Sequence, residues 1–99
     1  KAGILAMNSH AASTSATHRG MFIRRRLLCQ SIAPAPADVD ASLPEADASA
    51  ATLRDRIAIH LEDPSCAGCH ELMDPIGLGL ENFDGMGRWR ETEGGTVII

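Results

Sequence analysis

The chain has 99 residues, a net charge of −4 at pH 7 and 22% charged residues, so it holds one small domain and no second core. Its acid excess and mixed signs give no support to nucleic-acid binding, and no apolar run approaches the roughly 20 residues of a membrane-spanning helix. Phe22, Phe83 and Trp89 are its three aromatic residues and tyrosine is absent, which leaves little bulk for a self-sufficient core. No signal peptide is visible, and a start at Lys1 rather than methionine reads as an internal piece of a longer protein or a mature chain after processing.

In chain order, residues 1 to 7 form a short apolar run compatible with a strand or with the tail of an earlier element. Residues 8 to 19 are rich in Ser, Thr, Ala and Asn and read as loop, with Ser15 or Thr17 a plausible N-cap. A first helix is expected from about Thr17 to Ser31, where Met21, Leu28 and Ile32, together with Ile23 and Leu27, form one broad apolar side. Arg24, Arg25 and Arg26 then lie on its solvated face. Cys29 reads as a small buried residue on this helix or as half of a disulfide to another part of the parent protein. Residues 33–51 contain Pro34, Pro36 and Pro44 among Ala, Asp and Ser, the composition of an extended connector with little to bury.

A second helix starts near Thr52, where Thr-Leu-Arg-Asp resembles a capping box. Leu53, Ile57 and Leu61 stack on its apolar face, and His60 shares that face. Asp63-Pro64 ends this helix and caps a third, short one that closes near Met73-Asp74-Pro75. The third helix carries Cys66-Ala67-Gly68-Cys69-His70, which has the Cys-x-x-Cys-His spacing of c-type haem attachment. One helical turn sets both sulfurs on the same side, where they can form thioethers with the two haem vinyl groups. His70 then faces the iron as proximal ligand, its other ring nitrogen expected to donate to a backbone carbonyl. From Ile76 to Arg90 glycines alternate with apolar residues, and Ile76, Leu78, Leu80 and Phe83 are the expected lining of a haem pocket. Residues 91–99 read as a turn and a short strand-like end.

The run from Cys66 through His70, Met73-Asp74-Pro75 and Gly77, followed by Leu80-Glu81-Asn82-Phe83-Asp84 and Gly87-Arg88-Trp89-Arg90, resembles the haem-motif module DUF1588 of planctomycete and myxobacterial cytochrome-like proteins. Lys1 to Leu5, Thr14 to Gly20 (with Ala16 where proline is usual) and Leu27-Leu28-Cys29 are similar to the same module. The resemblance implies a c-type cytochrome domain inside a larger exported protein, periplasmic or beyond, with electron transfer as its role.

The distal iron ligand stays open in the sequence. His60, Met86 and His10 are candidates, with His18 and Met73 beside them. Arg88, Trp89 and Arg90 suit the haem propionates, or else Arg88 and Arg90 form surface ion pairs with Glu81, Asp84 or Glu91. Glu81 and Asp84 read as a cap and a salt bridge rather than a catalytic dyad. The reading is a mainly α, small cytochrome c-like domain spanning residues 1–99. About three short helices pack around one haem c held by Cys66 and Cys69, and the partner is a redox protein or adjacent domains of the parent chain. A haem enzyme with an open distal site, peroxidase-like, is the alternative. A zinc site of Cys66, Cys69, His60 and His70 ranks below both.

Overall fold

In the computed structural model, which describes residues 2–10, 13–40 and 42–98, the chain forms five short α-helices and one two-stranded ribbon. Residues 2–7, compatible with a strand by sequence, are helix α1 (Ala2–Met7). Ala, Leu and Met are good helix formers. Asn8 Nδ2 and Ser9 Oγ donate to the carbonyls of Ile4 and Leu5 (2.9 and 3.0 Å), which covers the helix end.

Helix α2 (Ala16–Phe22) is capped by Ser15, whose side chain accepts from the His18 amide at 3.2 Å. It does not continue as α-helix to Ser31. Residues Ile23–Leu27 wind as a π-helical turn, closed by the Leu28 amide donating to Ile23 O at 3.0 Å. The extra residue in that turn rotates everything beyond it, so the expected apolar side breaks up. Ile32 is buried, while Leu27 and Leu28 are exposed. Cys29 follows with φ 54°, the left-handed geometry that ends helices. It is an exposed free thiol, so the buried reading of Cys29 does not hold.

The connector forms no regular element between Cys29 and Thr52 among the described residues. It nevertheless folds back over the body. The radius of gyration is 13.2 Å, close to the ~13 Å of a packed chain of this length. Ala50, next to the following helix, is buried.

Helix α3 (Leu53–His60) begins with the expected capping box: Thr52 Oγ1 accepts from the Asp55 amide, and Asp55 Oδ2 accepts from the Thr52 amide at 3.0 Å. Leu53 and Ile57 join Ala16 of α2 in the core, with Leu61 and Leu78 against them. Helix α4 (Pro64–His70) starts where expected, with Asp63 accepting from the Ser65 amide at 2.9 Å and proline in the first turn. It ends at His70. A three-residue turn leads into a further helix, α5 (Asp74–Leu78), where the sequence predicts the third helix to close and predicts no further helix. Pro75 begins this helix, because a first-turn residue has no intrahelical use for an amide proton.

Helices α2 and α5 cross at backbone contact. A Cβ on Gly20 would fall into the Met73 carbonyl, and one on Gly77 into the Ala16 carbonyl. Glycine at both positions lets the helix that follows the cysteine motif lie directly on α2. Around this crossing the tail is tied by Arg19, 2% exposed, whose guanidinium donates to the carbonyls of Leu80, Phe83 and Asp84 at 2.8–3.0 Å. Buried Glu81 accepts from Thr14 Oγ1 and Arg90 Nη2 at 2.8 and 3.0 Å. Strands β1 (Thr92–Glu93) and β2 (Thr96–Val97) pair antiparallel, Thr92 opposite Val97. Gly94 and Gly95 join them with φ 56° and 86°, the two left-handed positions of a type I′ hairpin turn.

Candidate functional site

Helix α4 carries Cys66 and Cys69 three residues apart, which places both on one side of a single turn. Cys66 is half-buried, Cys69 exposed, and both are free thiols. His70 closes the helix. All three border one cavity of about 780 Å³, within the 300–1,000 Å³ range of ligand and cofactor sites. Its walls come from four parts of the chain: Thr17, His18 and Met21 of α2; Leu53, Ile57 and His60 of α3; Met73 after α4; and Pro34, Pro36, Val39 and Leu43 of the connector. The connector, which by composition had little to bury, thus supplies a whole side of the cavity.

His70 is held from behind. Its Nδ1 lies 2.9 Å from Asp74 Oδ2, and Asp74 Oδ1 accepts from Thr17 Oγ1 at 2.7 Å. A carboxylate oxygen cannot donate, so Nδ1 is the donor to the Asp74 carboxylate and Nε2 is the ring nitrogen left for a ligand. The expected backbone acceptor behind His70 is therefore replaced by a side chain, Asp74, which is 2% exposed.

The other three histidines also border the cavity. The His60 ring stands edge-on to that of His70, centroids 5.4 Å apart and planes at 63°. His10 and His18 form a second pair, centroids 5.1 Å apart. His18 is exposed overall, yet protein atoms around its ring desolvate it and, with the His10 ring adding to the effect, hold its pKa below the ordinary histidine value. The structure thus gathers His60, His10 and His18 with His70. Met73 joins them as a buried wall residue. Met86 does not: it is 66% exposed, beside a separate hollow of about 310 Å³ that it shares with Asp84, Gly85 and Arg88.

Ile76, Leu78, Leu80 and Phe83 are not among the cavity's lining residues. The backbone contact between α2 and α5 directs this stretch elsewhere, and Leu78 packs on Ala16, Leu53 and Ile57. Arg88 and Trp89 also lie outside the cavity. Arg88 pairs with Asp84 at 3.1 Å in an exposed ion pair, and Trp89 packs edge-on against Phe83, centroids 5.4 Å apart. Arg90 pairs with Glu81 at 3.0 Å. The cavity's own cations are Arg25, on the π-helical turn, and Arg56. Arg56 is already paired with Glu93 at 3.0 Å. Arg25 Nη2 donates to the Ile32 carbonyl at 2.7 Å. Arg25 falls four residues after Met21, the helical spacing of one face, and both border the cavity.

The residues present fit a haem. Two thiols stand one turn apart, an imidazole offers Nε2, the walls are largely apolar, and Arg25 supplies a guanidinium for a carboxylate. Among the described residues no three His, Cys, Asp or Glu side chains are gathered as a metal ion's ligands, so the tetrahedral zinc reading gains no support from the geometry. Among the described residues no helix is long and apolar enough to cross a membrane.

The family model PSCyt3, described as a protein of unknown function (DUF1588), matches residues 1–93. No curated protein and no solved structure matches the chain. Mainly helical and matched to this model over almost its full length, the chain belongs to the PSCyt3 (DUF1588) family of planctomycete cytochrome-like domains.

Proposed function

We propose that this domain holds one haem c covalently through Cys66 and Cys69, with His70 as proximal ligand, and passes single electrons within an exported, periplasmic redox protein or between it and a partner. The observation that carries the reading is the shared cavity: both cysteines and His70 border it, and Asp74 fixes the His70 ring with Nε2 free. Bound haem supplies a one-electron couple at iron. The chain's own residues do the rest. Cys66 and Cys69 would anchor the macrocycle edge, and Asp74 would orient His70 as the proximal imidazole. Val39, Leu43, Leu53 and Ile57 would exclude water, and Arg25 would supply a guanidinium for a propionate. His60, which borders the same cavity, is the foremost second axial ligand, ahead of His10 and His18, and its ring, edge-on to that of His70, would have to part from it to admit the macrocycle.

The test is expression of the chain with periplasmic haem c maturation, followed by intact mass and oxidised and reduced absorption spectra. The expected result is a mass gain of one haem, lost in Cys66→Ser/Cys69→Ser, with a sharp low-spin reduced band. A high-spin spectrum that shifts with cyanide would instead identify an open-site haem enzyme, and a colourless, zinc-containing protein would overturn the haem reading.

A further inference from the structure

We propose that Asp74 is a positioning residue that sets the reduction potential of the domain, its carboxylate lowering the potential through the hydrogen bond to His70 Nδ1. The inference rests on the haem reading above and adds to it a group that the cysteine–histidine motif does not contain. Three observations carry it. Asp74 is 2% exposed, so water does little to screen its charge. One of its oxygens meets His70 Nδ1 at 2.9 Å. The other accepts from Thr17 Oγ1 at 2.7 Å, which fixes the carboxylate plane from a different helix. Among the described residues, His70 is the single basic group within ion-pairing distance of Asp74.

The physical consequence follows from charge. The hydrogen bond to a carboxylate draws the Nδ1 proton outward and makes Nε2 a stronger electron donor than a bond to a neutral carbonyl would. One-electron reduction would remove one unit of positive charge from the iron, while the proton stays on Nδ1. A buried anion one ring away therefore favours the oxidised state and opposes reduction. Thr17 moderates this effect, because its hydroxyl takes up part of the carboxylate's acceptor capacity.

Thr17 makes the test decisive, since a change there and a change at Asp74 push in opposite directions. In the haem-loaded chain, titrated with dithionite and ferricyanide, Asp74→Asn keeps the shape and replaces the carboxylate by a neutral amide. It is expected to shift the oxidised-to-reduced equilibrium about tenfold toward reduced, which is about 59 mV for one electron. Thr17→Val leaves the carboxylate without its second partner and is expected to shift the equilibrium toward oxidised. If both variants move the same way, or neither moves, Asp74 is merely structural and the proposal falls. Should Asp74→Asn fail to fold or load, the sign of the Thr17→Val shift decides alone. Nitrogen NMR of the imidazoles in the haem-free chain gives a readout independent of the cofactor. His70 is expected as the Nδ1–H tautomer, and an Nε2–H tautomer would overturn the proposal. If the wild-type chain attaches no haem, the functional reading fails and this inference with it. If haem attaches but Asp74→Asn leaves the potential unmoved, this inference fails alone.

Discussion

His60 and His70 arrive at the same cavity from the ends of two different helices, and their rings already touch edge-on at 5.4 Å. The place of His60 on the cavity wall makes His60→Ala the informative single change on the second axial side. The haem-loaded variant is expected to lose the low-spin reduced band and become high-spin, while covalent attachment, read by mass, is unchanged. A low-spin spectrum in His60→Ala would transfer the role to His10 or His18. Glu81 offers a separate prediction. Burial pushes its carboxyl pKa above the ordinary glutamate value, against the opposing pull of Thr14, Arg90 and Arg19. A carboxyl with a folded pKa above its unfolded one binds protons more tightly when folded. Its favourable contribution is therefore fully present below the unfolded pKa and is lost as pH rises through the raised folded pKa. Glu81→Gln removes that titration. Denaturant melts at pH 4 and pH 7 should show wild type losing more stability than the variant on going to pH 7. An equal change in both would refute the assignment. Asp55, Asp63 and Asp84 act in the opposite sense, since hydrogen bonds from Thr52, from Ser65 and from the Arg88 amide hold their pKa values low. What they contribute is present above the ordinary aspartate value and lost as pH falls through their depressed folded pKa values.

The crossing of α2 and α5 is where element geometry controls the site. Gly20 and Gly77 let these helices meet backbone to backbone, and that closeness brings Thr17 to Asp74, and so holds Asp74 against His70. Gly77→Ala and Gly20→Ala are each expected to destabilise by about 1–3 kcal/mol or more, as overpacked sites do, measured by urea denaturation. Gly3→Ala, where a Cβ would meet nothing within 4 Å, serves as the control and should be near neutral. The helix ends of this region were legible in the sequence, because capping is a local rule. Ser15, Thr52 and the Asp63-Pro64 pair each stand where a helix begins. The interior of the first long helix was not. Its apolar spacing assumes 3.6 residues per turn, and nothing in Ile-Arg-Arg-Arg-Leu announces the wider π turn, where Leu27 and Leu28 are exposed and Arg25 borders the cavity. Helix α5 was missed for a related reason. Glycines and a proline argue for loop by propensity, but here proline starts the helix and Gly77 makes the contact that packs it.

The connector and the cavity belong together, and they show where local reading stops. Cys66, Cys69 and His70 stand out by spacing alone, but which residues face them depends on chain segments that fold back over long separations. Ile76 to Phe83 looked like the pocket's walls because they follow the motif and are apolar; the walls come instead from Pro34 to Leu43 and from α3. The buried apolar cluster itself is small, Ala16, Leu53 and Ile57 with Leu61 and Leu78 against it. Of the exposed large apolar side chains, Val39 and Leu43 line the cavity, where a flat macrocycle would cover them. Covering that surface would remove it from water in the folded state alone, so the proposed attachment would stabilise the fold. The haem-loaded chain is therefore expected to melt well above the Cys66→Ser/Cys69→Ser chain. Each kcal/mol gained raises Tm by about 4–8 °C in a domain of this size, so a gain of about 2 kcal/mol separates the two by about 8–16 °C, followed by far-ultraviolet circular dichroism. The connector should report the same event, because it has no regular structure of its own and its contacts are with the cavity. Amide exchange between residues 33 and 45 is expected to slow on haem attachment, while that of the capped first turn of α3 changes little. Equal protection of the connector in both forms would mean that it closes over the cavity unaided, and that folding and attachment are separate steps.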